Sequence, residues 1–269
     1  MAAIGFGFGD FLGGSASRRI PVGQTLLWAH MVGLLLLAGW VSTGSGEPIV
    51  ADLAAGAIAG TFGLAGLAFL YNGLARGRAA VVAPAAAVVG AGLPVLVGAL
   101  TGDTPSLVGW LGVLVALPAI YLVSIVEGIP RRTAGLGNGI AAGAFFGGHL
   151  VALARASEAS GMWPLAASRG LTVVLLGGAA LIARRAWLLQ PRGRVGGAVL
   201  GVGVLDLLGN IGYLLAAQRA SIVVVAVVTS LYPAVTVLLA RTVYLERLSG
   251  AQATGLALGV TAVALLSIP

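Results

Sequence analysis

Apolar runs of membrane-spanning length follow one another along almost the whole chain, and this constrains the fold more than any motif does. Ten segments separate, at about 2–17, 23–42, 50–72, 79–101, 107–126, 137–156, 165–183, 195–216, 221–243 and 250–268. About 20 apolar residues cross the hydrocarbon core of a bilayer as a helix. Lipid cannot satisfy a bare peptide group, so runs of this kind must be helical. Only 9% of the residues are charged and 59% are hydrophobic, whereas soluble domains carry about 25% charged residues. The expected fold class is therefore all-α integral membrane, with ten transmembrane helices. The polar interruptions are short, so consecutive helices must be antiparallel neighbours.

The charge pattern agrees. All 15 basic residues are arginine, and the net charge is +7. They sit singly or in pairs between apolar runs, as helix-end anchors do, and form no stripe for nucleic acid. Cysteine is absent, which excludes disulfides, thiol catalysis and thiolate metal sites. No His-Glu-x-x-His motif and no phosphate-binding loop occurs, so neither a cofactor nor a metal is expected. The first run begins at Met1 without a basic leader or a clear cleavage site, so a removable signal peptide is not expected, and this first segment is short at its start. The Ala, Gly, Val and Arg bias without lysine suits GC-rich coding and points to a bacterial plasma (inner) membrane.

Connections after odd-numbered segments hold Arg18, Arg19, Arg76, Arg78, Arg131, Arg132, Arg184, Arg185, Arg192, Arg194, Arg241 and Arg247. Those after even-numbered segments hold Arg155, Arg169 and Arg219. The positive-inside rule places the odd connections in the cytoplasm and both termini outside.

The two halves of the chain resemble each other. Shifting 75–125 by 143 residues brings Arg76 onto Arg219, Ser106 onto Ser249, Gly112 onto Gly255, and Leu122, Ser124 and Ile125 onto Leu265, Ser267 and Ile268. A shift of 138 brings Gly5, Phe8, Gly9 and Leu12 onto Gly143, Phe146, Gly147 and Leu150. The implied repeats are 1–132 and 133–269. Five helices is an odd number, so the second repeat must cross the membrane in the opposite sense to the first. Inverted repeats recur in secondary transporters, with the substrate site near the midplane. Recurring four-residue glycine spacings, such as Gly5, Gly9 and Gly13, or Gly143 and Gly147, read as packing faces. Pro84, Pro94, Pro118 and Pro233 lie inside helical segments, where each should kink or break the hydrogen-bond ladder. Trp28, Trp40, Trp110, Trp163 and Trp187 read as interfacial anchors.

Polar residues inside the segments are the candidate site. A charge at the bilayer centre costs at least roughly 2.5 kcal/mol on insertion scales, and it normally faces a cavity or a partner. Asp10 lies mid-way along the first segment and Asp206 mid-way along the eighth. His149 lies one position from the repeat equivalent of Asp10. The expectation is that Asp10 and His149 approach each other across the pseudo-two-fold axis and carry a proton. Asp206 precedes Asn210 by one helical turn, so they share a face. That face either contacts a substrate cation or pairs with Arg169 or another arginine, and the pairing is favoured. His30, Tyr213 and Tyr232 complete the candidate substrate-binding or proton-coupling set.

Further residues carry a family resemblance. The run 213–221 (Tyr-Leu-Leu-Ala-Ala-Gln-Arg-Ala-Ser), the run 230–233 (Ser-Leu-Tyr-Pro) and the run 245–249 (Leu-Glu-Arg-Leu-Ser) precede the helix with Gly255 and Gly259. Together they resemble the second repeat of EamA-type members of the drug/metabolite transporter superfamily. Segment 70–125 resembles the equivalent part of the first repeat, with Asp103 where the second has Glu246. The run 9–14 (Gly-Asp-Phe-Leu-Gly-Gly) resembles the first helix of one branch. The resemblance implies a ten-helix mover of small organic solutes. It also implies an arginine early in the second helix of each repeat: Arg169 holds that place in the second repeat, but His30 holds it in the first. Distant relatives, the small multidrug antiporters, use a carboxylate in the first helix for proton coupling. For many members the resemblance implies both termini inside, opposite to the arginine count.

The reading of the sequence is thus a secondary transporter of small organic metabolites or drugs, working by alternating access, with protons as the candidate coupling ion. The expected partners are a small-molecule solute and the lipid bilayer, with no nucleic acid. A flippase for a lipid-linked intermediate is the alternative, which a lateral opening wide enough for an acyl chain would favour. An intramembrane hydrolase is remote: Gly13-Gly14-Ser15-Ala16 fits a Gly-x-Ser-x tetrapeptide, but Ser15 sits at a helix end. No enzyme is expected.

Overall fold

A computed structural model describes residues 1–76, 79–125, 135–244 and 248–268. Every expected segment holds helix: α1 (Ala2–Ser17), α2 (Val22–Val41), α3 (Val50–Arg76), α4 (Ala79–Thr101), α5 (Leu107–Ser124), α6 (Leu136–Ala154), α7 (Trp163–Ile182), α8 (Gly193–Ala217), α9 (Ile222–Thr229), α10 (Tyr232–Tyr244) and α11 (Gly250–Leu266). The ninth segment is two helices. Among the described residues, eight spans, with α9 and α10 taken together, are long and apolar enough to cross a membrane. The protein is an integral, multi-pass membrane protein. Arg78, Glu127, Arg131, Arg132, Glu246 and Arg247, which the sequence places in connections, lie outside the described residues. Arg169, placed with the even connections by sequence, is instead buried inside α7.

The prolines divide by position. Pro84 and Pro94 lie within α4 and Pro118 within α5, and those helices continue through them. Pro233 is the second residue of α10, directly after the interruption. It has no N–H to offer the Thr229 carbonyl four residues back. The Leu231 and Ala234 amides bond three residues back instead, to Val228 and Leu231, at 3.3 and 2.9 Å. The tighter turn ends one helix and starts the next.

The helices pack as two compact units. Unit 1 comprises residues 1–61 and 155–218, and unit 2 comprises residues 62–154 and 219–269. In unit 1, α1 runs along α8, and α2 packs on α7 and α8. Lipid offers no hydrophobic drive between helices, so close backbone approach matters. A Cβ on Gly5 would stand 2.6 Å from the Gly209 amide nitrogen, so only glycine fits there.

In unit 2 the chief pairings are α4 with α6 and α5 with α11. Gly143, which stands 138 residues after Gly5, is equally tight: a Cβ there would meet the Ala86 carbonyl oxygen at 2.6 Å. Val95, Val113, Val223, Val227, Ala262 and Leu266 form one apolar core cluster of α4, α5, α9 and α11. Ser106 caps α5 by accepting from the Gly109 amide, and Ser249 caps α11 in a reciprocal box with Gln252. The α5–α11 contact is also reciprocal. Gly112 abuts Leu265 and Leu266, while Gly255 abuts Leu122 and Val123. Each of these contacts becomes the other on a shift of 143 residues.

Candidate functional site

The polar site of unit 1 starts from Arg169, whose side chain is only 7% exposed, on α7. One of its guanidinium nitrogens (Nη2) donates to Oδ2 of Asp206 on α8, an ion pair whose aspartate stays 31% exposed. A buried charge pair of this kind must be kept intact, because removing one partner strands the other without water. Asn210, one turn along α8, donates Nδ2 to the Asp206 backbone carbonyl at 2.9 Å and reaches its carboxylate at 3.5 Å. Nε of Arg169 is buried without a hydrogen-bond partner, and it lies about 3.5 Å from where a Cβ on Gly33 of α2 would be.

Thr172 extends the cluster to α2. Its hydroxyl meets the Arg169 carbonyl at 3.0 Å and Nδ1 of His30 at 2.7 Å. The hydroxyl has one proton, so it donates either to the carbonyl or to Nδ1, and His30 takes the complementary tautomer. The α2–α7 contact repeats the reciprocity of α5 and α11: His30 meets Thr172, Gly33 meets Arg169, and the two contacts exchange on a shift of 139 residues.

Asp10 completes the set. Its neighbour Gly9 packs on α8 at Asp206, and Asp10 is within electrostatic reach of that carboxylate. The Asp10 side chain is itself exposed. Two carboxylates and one guanidinium leave the fully ionised cluster one negative charge in excess. Chemically, it can hold a proton or a cation beside a fixed, neutralised ion pair.

Residues 133–268, just over half of the chain, match the model of the EamA-like transporter family. The chain belongs to this family of membrane transporters. Among solved structures, 16 chains match the fold. One crystal structure has a TM-score of 0.74 at 19% identity, covering 99% of this chain and 97% of that one. No curated protein matches.

Within this EamA-like chain, the sequence-derived candidates divide. Asp10, His30, Arg169, Asp206, Asn210 and Tyr213 belong to unit 1, and Tyr213 is fully buried in α8 one turn beyond Asn210. The expected pairing of Asp206 with an arginine is present. His149 and Tyr232 belong to unit 2. His149 sits on α6 with Nδ1 about 3.5 Å from a would-be Cβ of Gly63 on α3, and Tyr232 opens α10 at the helix interruption.

Sequence reasoning missed Asp52 and Thr172. Asp52, buried in the first turn of α3, accepts from the Ser157 amide at 3.2 Å, the Ser157 hydroxyl at 2.5 Å and the Ser160 hydroxyl at 2.6 Å. Gln218 donates to the Ser157 carbonyl at 3.1 Å, so the α6–α7 connection is tied both to α3 and to the end of α8. The available signal was an acid just after Pro48 at a helix start, where carboxylates are favoured. Asp103 has a structural role: its carboxylate accepts from the Ile222 amide at 2.6 Å and caps α9.

Proposed function

We propose that this protein is a secondary transporter of small organic solutes in a bacterial plasma membrane, in which two inverted five-helix repeats, 1–132 and 133–269, rock around a polar site. The observation that carries the reading is the Arg169–Asp206–Asn210 cluster with Asp10 beside it, built on membrane-spanning helices of a transporter-family chain. Ionisable groups at that depth are retained where they serve a pathway. The inverted arrangement draws support from the second helices of the two halves pairing as α2 and α7, and the fifth as α5 and α11, each through contacts that exchange on the repeat shift. Two-fold related surfaces make isologous contacts of this form.

In this reading, Asp10 and His149 are the proton carriers. Asp206 is held by Arg169 and orients Asn210 and Tyr213 for the solute, with His30 and Tyr232 as further contacts. The test is a thermal-stability screen of purified protein against amino acids, nucleosides, sugars and cationic drugs, since a ligand of the folded state raises the melting temperature. A stabilising compound whose effect disappears in Asp206→Asn or Asp10→Asn names the substrate class. Proton-driven uptake that keeps its full pH dependence in Asp10→Asn rules out coupling through that residue.

A second reading, flipping of a lipid-linked intermediate, is favoured by one observation. An apolar cleft of about 550 Å³ opens in unit 1 between α2, the start of α3 and α7, lined by Leu34, Ala38, Leu53, Trp163 and Ala166. A soluble-compound screen without a single hit, combined with a shift on adding polyprenyl phosphate, would put this reading first.

A further inference from the structure

The end of unit 1 remote from Asp52 carries six arginines, and neither connection there contains an acidic residue. Arg18 and Arg19 follow α1, and Arg184, Arg185, Arg192 and Arg194 lie in and beside the α7–α8 connection. All six are exposed. The two connections share this end because Ala16, Ile20, Trp28, Val195 and Val199 pack in one cluster. The transport site, mid-way along the helices, does not use them.

The α7–α8 connection is built, not slack. The Arg185 amide bonds the Ala180 carbonyl at 2.8 Å and the Arg184 amide bonds Leu181 at 3.2 Å, the paired bonds of a Schellman stop. The left-handed position of that stop belongs to Arg184, at φ 48°, where glycine is usual; it is the one non-glycine residue with positive φ among the described residues. The fold therefore tolerates backbone strain to keep an arginine there. Gln24 then donates to the Leu189 carbonyl at 2.7 Å, and the Trp28 indole donates to the Trp187 carbonyl at 3.0 Å. These bonds fix the single turn Ala186–Leu188 against α2. Leu188 and Leu189 are left 46% and 67% exposed, with an arginine pair on either side. Arg192 and Arg194 flank the start of α8, where positive charge is unfavourable until an anion answers it.

Pinned apolar side chains between arginine pairs, beside interfacial tryptophans, match a leaflet's headgroup zone: anionic phosphate outside, acyl chain within. We propose that this end of unit 1 is a binding site for anionic phospholipid, with Arg184, Arg185, Arg192 and Arg194 holding the headgroup phosphate and Leu188 and Leu189 entering the acyl boundary. Charge complementarity selects the lipid class, because zwitterionic headgroups offer the arginines no net charge.

The test compares phosphatidylglycerol with phosphatidylcholine of identical chains, bound to the purified protein and counted by native mass spectrometry. Purified protein removes any effect of arginine on insertion topology. Wild type should prefer phosphatidylglycerol, with each arginine contributing roughly fivefold. Arg185→Gln/Arg192→Gln/Arg194→Gln should lose most of the preference. Arg184→Gly relieves the strained backbone, so it should keep or raise the melting temperature while lowering the preference. Arg155→Gln, at the opposite end, should change nothing. The proposal is overturned if the triple variant or folded Arg184→Gly retains the wild-type preference, if Arg155→Gln lowers it equally, or if inorganic phosphate stabilises the protein as well as phosphatidylglycerol does.

Discussion

Unit 1 carries Arg169, Asp206, Asn210 and His30 on helices long and apolar enough to cross a membrane, with Asp10 on α1, whereas the apolar core clusters of unit 2 are valine, alanine, isoleucine and leucine. Both units are pressed together at glycines that admit no side chain, Gly5 in one and Gly143 in the other. Stacked and edge-on phenylalanines, Phe62, Phe69 and Phe145, add to unit 2. The difference separates two uses of the same helical framework. Backbone approach and apolar packing suffice to assemble helices in lipid. A buried ion pair is not needed for that, and replacing such a pair with apolar residues is often neutral for stability. In the proposed reading, the charge cluster of unit 1 serves transport together with His149 and Tyr232 of unit 2.

Substitutions can break this contrast or sharpen it. The largest loss of stability is expected for Arg169→Met, which strands Asp206, at about 3 kcal/mol or more; a fall in melting temperature in detergent reports it. Arg169→Met/Asp206→Leu should recover most of that stability while leaving uptake into vesicles absent. If the double variant still transports, the charge cluster is structural and the contrast fails. Next, Gly143→Leu should cost about 1–3 kcal/mol by overpacking α6 against α4, with Gly5→Leu similar in unit 1. Equal losses show that glycine packing is common to both units, whatever their charge.

Asp103→Ala should cost about 1 kcal/mol through the lost cap of α9, measured by the same melt, with the substrate profile unchanged. Asp10→Asn, which removes one of two like charges beside the ion pair, should leave the melting temperature unchanged or raise it. Its uptake, however, should lose its dependence on an imposed pH gradient. A large loss of stability there would make Asp10 a structural partner of Asp206.

Helix positions were legible in the sequence because lipid forces each apolar run to be a helix, and runs such as 23–42 and 79–101 have few polar interruptions; the break within the ninth run was not. That Asp206 pairs with an arginine was legible for the same reason, because a buried charge needs a partner, but which arginine was not: Arg169 was counted with a connection and lies inside α7. What sequence could not supply was partner geometry. Thr172 looks like any helical threonine, yet it joins His30 to Arg169. Asp52 looks like a first-turn acid facing solvent, but it is buried under two serine hydroxyls from residues more than a hundred positions away. Pro94 and Pro233 read alike in sequence. Only Pro233 follows a helix interruption, and no local pattern distinguishes them.

The 27 residues of α3 make a rod of about 40 Å, roughly 10 Å longer than a hydrocarbon core. Its apolar window, Val50–Leu70, accounts for the core alone, so the last turns stand clear of it. There Asn72 donates to Asn138 in the first turn of α6 at 3.0 Å, bracing the overhang. Membrane thickness varies by a few ångströms between bilayers, and mismatch costs fractions of a kcal/mol per ångström. This helix has spare length to absorb such variation, so a thicker bilayer submerges the overhang at the Asn72–Asn138 brace, and hydrophobic mismatch acts there before it acts on the apolar part of the rod.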